Sequence, residues 1–90
     1  MKVAQLIREK LTTNLLPLRL EVIDESHRHA GHAGASPEGE THFRIEVVSA
    51  RFAGLSRVDR QRLVNQILAE ELRTRVHALA MQTLAPDEDR

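Results

Sequence analysis

His42-Phe-Arg-Ile-Glu-Val-Val-Ser49 puts Phe43, Ile45 and Val47 on one side of an extended chain and His42, Arg44 and Glu46 on the other. Alternation of this kind marks a strand that buries one face. Toward the amino terminus, Leu18-Arg-Leu-Glu-Val-Ile-Asp-Glu25 repeats the pattern, Leu18, Leu20 and Val22 alternating with Arg19 and Glu21 until Ile23 breaks it. Two strands joined by a single loop pair antiparallel. Toward the carboxyl terminus, Val76-His-Ala-Leu-Ala-Met-Gln-Thr-Leu84 reads as a third strand, although it is low in β-branched residues. A helix separates it from the second strand, so the two are expected to run parallel through a right-handed crossover. The sheet is therefore three-stranded and mixed.

Two helices complete the pattern. Val3, Leu6, Ile7, Leu11 and Leu15 recur three or four apart and define an amphipathic helix. Pro17 restricts the residue before it, so this helix should stop between Asn14 and Leu16. Arg51-Phe-Ala-Gly-Leu55 turns the chain, with Phe52 placed to close the core. Ser56-Arg-Val-Asp59 reads as a capping box. The helix it opens buries Leu63, Val64, Ile67, Leu68 and Leu72, shows Arg57, Arg60, Arg62, Gln66, Glu70 and Arg73 to solvent, and ends by about Arg75. The order helix, strand, strand, helix, strand defines a small α+β domain over residues 1–86. Residues 87–90 form a polar tail, and the whole run from Ala85 is expected to fray.

At 90 residues the chain holds one domain. A domain this small buries only roughly 60 to 65% of the surface its unfolded chain exposes, so it gains from a partner. Thirteen basic and thirteen acidic residues cancel, so no overall field draws it to a phosphate backbone or an anionic membrane. Without cysteine it has neither disulfides nor thiolate ligands. The charged amino terminus does not resemble a signal peptide, and no apolar run approaches a membrane span; the expectation is a soluble, cytoplasmic protein. Two phenylalanines and no Trp or Tyr leave little ring surface for stacking on bases.

The loop between the first two strands holds His27, His29 and His32, with Gly31, Gly34, Gly39 and Pro37; His42 follows at its end. Imidazoles at this density point to metal binding, proton chemistry or a pH-sensitive contact, against a plain solvated loop. Topology adds a constraint. His42 opens the second strand and His77 the third, and parallel neighbours start at the same end, so all five histidines are expected at one end of the domain. The spacing His27-x-His29-x-x-His32 matches the zinc run of metallo-β-lactamase-type hydrolases, but Gly31 stands where that motif has Asp, and that fold needs a longer chain. Gly31-His32-Ala33-Gly34 spells the Gly-x-x-Gly of KH domains, yet it lies between strands rather than helices. A triad of Ser26, Asp24 and His27 or His29 lacks anything that would fix its geometry.

Asp24-Glu-Ser-His-Arg-His-Ala-Gly-His32, Glu40-Thr-His-Phe43, Val47-Val-Ser-x-x-Phe52-x-Gly54, Arg62-Leu-Val-Asn65 and Glu70-Glu-Leu-x-x-x-Val76-His-Ala-Leu-Ala80 together resemble the BolA family. The likeness runs from about Leu18 to Pro86. It implies a class II KH-like fold with helices on one face of the sheet, and an extra helical turn near Gly54 to Arg60 that makes the order αββααβ. It also implies a non-catalytic adaptor that pairs with a monothiol glutaredoxin and shares a [2Fe–2S] cluster with it and its glutathione, in iron–sulfur trafficking or iron homeostasis. Alone, such a domain is expected to carry no cofactor and to be a monomer or weak homodimer. Carried onto this chain, the cluster ligands are His77 and a loop histidine, His29 first, then His32, with His27 less favoured. Some bacterial members are described as DNA-binding regulators of morphology and stress response, and for that alternative Arg57, Arg60 and Arg62 are the candidate phosphate contacts.

Overall fold

The computed structural model describes residues 2–26 and 40–89. Helix α1 (Val3–Leu15) buries Val3, Ile7, Leu11 and Leu15, one residue per turn, while Leu6 is half-buried at the margin of that stripe. It ends within the range expected, at Leu15: Leu16 turns left-handed at φ 46° and donates its N–H to the Thr12 carbonyl. Its start is held from far away. Lys2 supplies no side-chain cap, and the Glu40 carboxylate accepts the Ala4 N–H at 3.2 Å instead.

Strands β1 (Arg19–Asp24), β2 (His42–Val48) and β3 (Ala78–Leu84) form one sheet in the order β1-β2-β3. β1 pairs antiparallel with β2, from Arg19 opposite Val48 to Asp24 opposite Phe43. β3 pairs parallel with β2, from Ala78 beside His42 to Leu84 beside Val48. β1 is one residue shorter at each end than its sequence pattern, and β3 begins two residues later than expected. One face of the sheet carries Phe43, Ile45 and Val47, all buried, against α1 and the later helices. Burying side chains of this size contributes ~1.5 to 3 kcal/mol each. Among the described residues the other face bears no helix, and Glu21, Arg44, Ala78, Ala80 and Gln82 stay exposed there.

A 3-10 turn (Ala50–Phe52) follows β2 and drives Phe52 fully into the core. Ser49 fixes this corner: its hydroxyl donates to the Leu15 carbonyl at 2.5 Å and accepts the Arg51 N–H at 3.1 Å. Gly54 then reverses the chain at φ 81°, a conformation that disfavours any side chain. Helix α2 (Arg57–Ile67) starts at Ser56, whose hydroxyl accepts the Asp59 N–H at 3.1 Å as the capping pattern predicts.

The single helix expected to reach Arg75 is in fact two. α2 breaks at Leu68 (φ −101°, ψ 18°), and α3 (Ala69–Thr74) continues from it. The added helical turn lies at Ala50–Phe52, not over Gly54 to Arg60, and it is the break at Leu68 that makes the order of α-helices and strands αββααβ. Leu68 is buried at the bend, and beyond it the buried Glu71 reaches Lys10 of α1 at 2.7 Å.

The end of the chain is also different from a frayed tail. Pro86–Glu88 forms a 3-10 turn. Glu88 pairs with Arg60 at 2.6 Å, and Asp89 with Arg19 at 3.0 Å. Since Arg19 lies on β1 and Arg60 also donates to the Thr83 carbonyl on β3, the segment spans the sheet from edge to edge.

Candidate functional site

The site is built on the ends of β2 and β3. His42 is the first residue of β2, and His77 stands just before β3, donating its backbone N–H to the Thr41 carbonyl at 2.7 Å. Parallel pairing brings the two rings together, their centroids 6.1 Å apart and their planes 23° from parallel. His77 is exposed and His42 half-buried. The topological reasoning that set these two residues at one end is thus borne out for the described pair. His27, His29 and His32 lie outside the described residues.

The feet of the loop that carries them are clasped. Asp24 accepts the N–H groups of Ser26 and Glu40, at 2.9 and 3.0 Å. Ser26, 2% exposed, accepts those of Thr41 and His42, at 2.9 and 3.1 Å. Glu25 donates its N–H to the His42 carbonyl at 2.7 Å. Glu40 sits left-handed at φ 65°, a conformation costing ~1 kcal/mol or more in a residue other than Gly, Asn or Asp, while its side chain caps α1. Loop, strand and helix therefore meet at one joint. Sequence reading weighed Ser26 only as a nucleophile and passed over Glu40 and Thr41 as site residues; the clasp was hidden because Glu40 and Ala4 lie 36 positions apart and Ser26 and Thr41 lie 15 apart.

Chemically the described site offers imidazole and little else. Among the described residues no three His, Cys, Asp or Glu side chains are grouped to hold a metal ion. Imidazole nitrogen ligates iron in Rieske-type clusters, where thiolates complete the set. A chain without cysteine that presents an exposed imidazole at a sheet end fits such a cluster as a half-site, with His77 as donor and the thiolates coming from another molecule. It does not fit a cluster held by one chain.

The arginines read as one wet stripe divide. Arg57 and Arg62 are exposed, Arg62 pairing with Asp59 at 3.3 Å. Arg60 does not belong with them: its side chain is 11% exposed, lies 5.9 Å over the Phe52 ring, and donates to the carbonyls of Leu55 and Thr83 as well as to Glu88. Arg60 and the Ala85 N–H together hold the Glu88 carboxyl below the usual carboxylate range. Asp89 and then Glu46 raise the Arg19 guanidinium further above its already high value. Arg57 and Arg60 line a shallow cleft with Gln82, Thr83 and Glu88.

An αββααβ domain with a mixed sheet, helices on one face and an imidazole pair at the opening of two parallel strands defines a class of small α+β domains. The BolA family profile, described as BolA-like protein, matches residues 11–88, and the chain belongs to the BolA-like family. It is 47% identical over 89 residues to the uncharacterized protein in the cobS 5' region of Sinorhizobium sp, covering 98% of this chain and 96% of that one. Against the DNA-binding transcriptional regulator BolA of Escherichia coli (strain K12) it is 46% identical over 83 residues, covering 92% and 75%. The solved structure of BolA1 from Arabidopsis thaliana superposes with a TM-score of 0.89 at 42% identity, over 100% of this chain and 98% of that one. Some relatives are longer: the chain spans 54% of the chloroplastic protein BOLA1 of the same plant. No helix among the described residues is long and apolar enough to cross a membrane.

Proposed function

We propose that this chain is a cytoplasmic, non-catalytic adaptor that docks a monothiol glutaredoxin and shares a [2Fe–2S] cluster with it. The observation that carries the reading is the exposed His77 at the start of β3 in a chain that has no thiol of its own. His77 would supply one ligand and a loop histidine, His29 before His32, the other; the glutaredoxin and its glutathione would supply sulfur. The bound cluster would provide one-electron redox chemistry, and imidazole in place of thiolate lowers its negative charge and raises its potential. The chain's own contribution is placement: the Thr41 carbonyl fixes the backbone of His77, and the clasp at Asp24 and Ser26 fixes where the histidine loop leaves and rejoins the fold.

The test is anaerobic reconstitution with a monothiol glutaredoxin, glutathione, iron and sulfide, read by visible circular dichroism. A spectrum distinct from that of the glutaredoxin homodimer, lost or altered in His77→Ala, is expected. If the mixture shows the homodimer spectrum alone, the proposal fails.

A second reading, DNA binding through α2, is favoured by the name of the Escherichia coli relative and by the exposed Arg57 and Arg62. Here affinity should fall steeply with salt and be lost in Arg57→Glu/Arg62→Glu. An affinity indifferent to both would remove it.

A further inference from the structure

The sheet order puts β3 at an edge, and its register with β2 runs without a bulge from Ala78 to Leu84. The Ala78 N–H goes to the Thr41 carbonyl, and the Leu84 carbonyl takes the Ser49 N–H. Backbone groups alternate sides along a strand. Ala78, Ala80, Gln82 and Leu84 therefore turn theirs toward β2, and Leu79, Met81 and Thr83 turn theirs outward. Arg60 occupies the Thr83 carbonyl at 3.0 Å. Among the described residues nothing bonds the outward N–H and carbonyl groups of Leu79 and Met81. Edge strands are normally protected by charge, proline or a bulge. The other edge has such protection, since β1 carries Arg19, Glu21 and Asp24. In β3, Ala78-Leu-Ala-Met-Gln-Thr-Leu84, no residue is charged.

We propose that β3 pairs with β3 of a second copy of this chain, antiparallel about a two-fold axis through Ala80. The free groups select that partner and that register. An axis at Ala80 sets Leu79 opposite Met81 of the second copy, and the reverse, for roughly four hydrogen bonds between groups that are all free. An axis at Met81 would set Leu79 against Thr83, whose carbonyl Arg60 already holds. An axis at Leu79 would set Met81 against His77, whose N–H is bonded to the Thr41 carbonyl. On the helix-bearing face, Leu79 and Met81, half-buried at the margin of the core, meet across the axis. On the open face Ala80 meets Ala80 and Gln82 meets Ala78, all of them exposed, so no like charges are opposed. The two three-stranded sheets become one, with both sets of helices on the same side and the two His77 ends pointing apart. A contact of this extent falls below ~1,200 Å², where complexes are weak.

Sedimentation velocity and amide hydrogen exchange of the full chain, from roughly 10 μM to 1 mM to span weak affinities, test the pairing. Wild type should sediment faster toward a dimer as concentration rises. The N–H groups of Leu79 and Met81 should gain protection in step, while that of Ala80, already turned to β2, should not change. Ala80→Lys sets two cations face to face at the axis and should remove the association, and Ala80→Glu should weaken it likewise. Mixed in equal amounts the two variants should associate, because each lysine then meets a glutamate across the axis. Arg44 stands beside position 80 on β2 in every variant, so the mixture is compared with its own components. A wild type that stays monomeric throughout overturns the proposal. So does a dimer that leaves Leu79 and Met81 unprotected, or a mixture no more associated than its components when both are folded by far-ultraviolet dichroism.

Discussion

Arg60 shows most clearly what one side chain does in this fold. Its sequence position placed it on the wet face of α2, and by helical spacing alone it matches Arg57. In the structure it lies over Phe52 and donates to two carbonyls and a carboxylate, because the chain after β3 returns across the sheet end. Helical periodicity carries no information about that return. Arg60→Ala should therefore cost about 1 to 3 kcal/mol in urea unfolding, through lost packing and orphaned acceptors, whereas Arg62→Ala, whose partner is exposed, should stay within about 0.5 kcal/mol. Equal effects would mean that Arg60 is no more built in than its neighbour. The pairing also has a pH signature. Glu88 has a folded pKa below its unfolded value, so its stabilisation is full above the ordinary carboxylate range and is lost as pH falls through the lower, folded value. Thermal melts from neutral to acid pH should show Glu88→Gln less stable than wild type near neutrality, and the gap closing in acid. A gap that persists below the folded pKa would point to a cause other than charge.

At the scale of elements, the strands and α1 were legible because each buries one face in a fixed period: Val3, Ile7, Leu11 and Leu15 in the helix, Phe43, Ile45 and Val47 in the strand. The parallel placement of His42 and His77 followed from connection lengths in the same way. The break at Leu68 was not legible, since Leu63, Val64, Ile67, Leu68 and Leu72 keep a helical period straight through it. The cap on α1 was equally hidden. Lys2 gives no local signal, and the acceptor that serves Ala4 comes from Glu40, at the foot of the histidine loop. Replacing an N-cap acceptor costs ~0.5 to 2 kcal/mol, and a carboxylate at a helix N-terminus interacts favourably with the dipole besides. Glu40→Ala should accordingly destabilise the fold by about 1 kcal/mol and, in hydrogen exchange, deprotect the first turn of α1 before the rest of the helix. Unchanged exchange at Ala4 would show that the cap is not used in solution.

Over the whole molecule, the two functional readings occupy opposite ends of the sheet. His42 begins β2 and His77 precedes β3, while Arg60 binds the carbonyl of Thr83 near the far end of β3 and Arg57 lies one turn before it on α2. A strand rises ~3.3 Å per residue, so from His42 to Val48 the ends stand roughly 20 Å apart. Sites more than ~7 to 10 Å apart without shared partners act additively within roughly 0.5 kcal/mol. Arg57→Glu/Arg62→Glu should then leave the cluster dichroism of the glutaredoxin complex intact, and His77→Ala should leave any DNA affinity and its salt dependence intact. The triple variant should show the sum of the separate changes in stability. If reversing the arginines also abolished the cluster complex, the docked glutaredoxin would have to reach from the histidine end to α2, and cluster sharing and DNA binding would compete for one surface instead of coexisting on two.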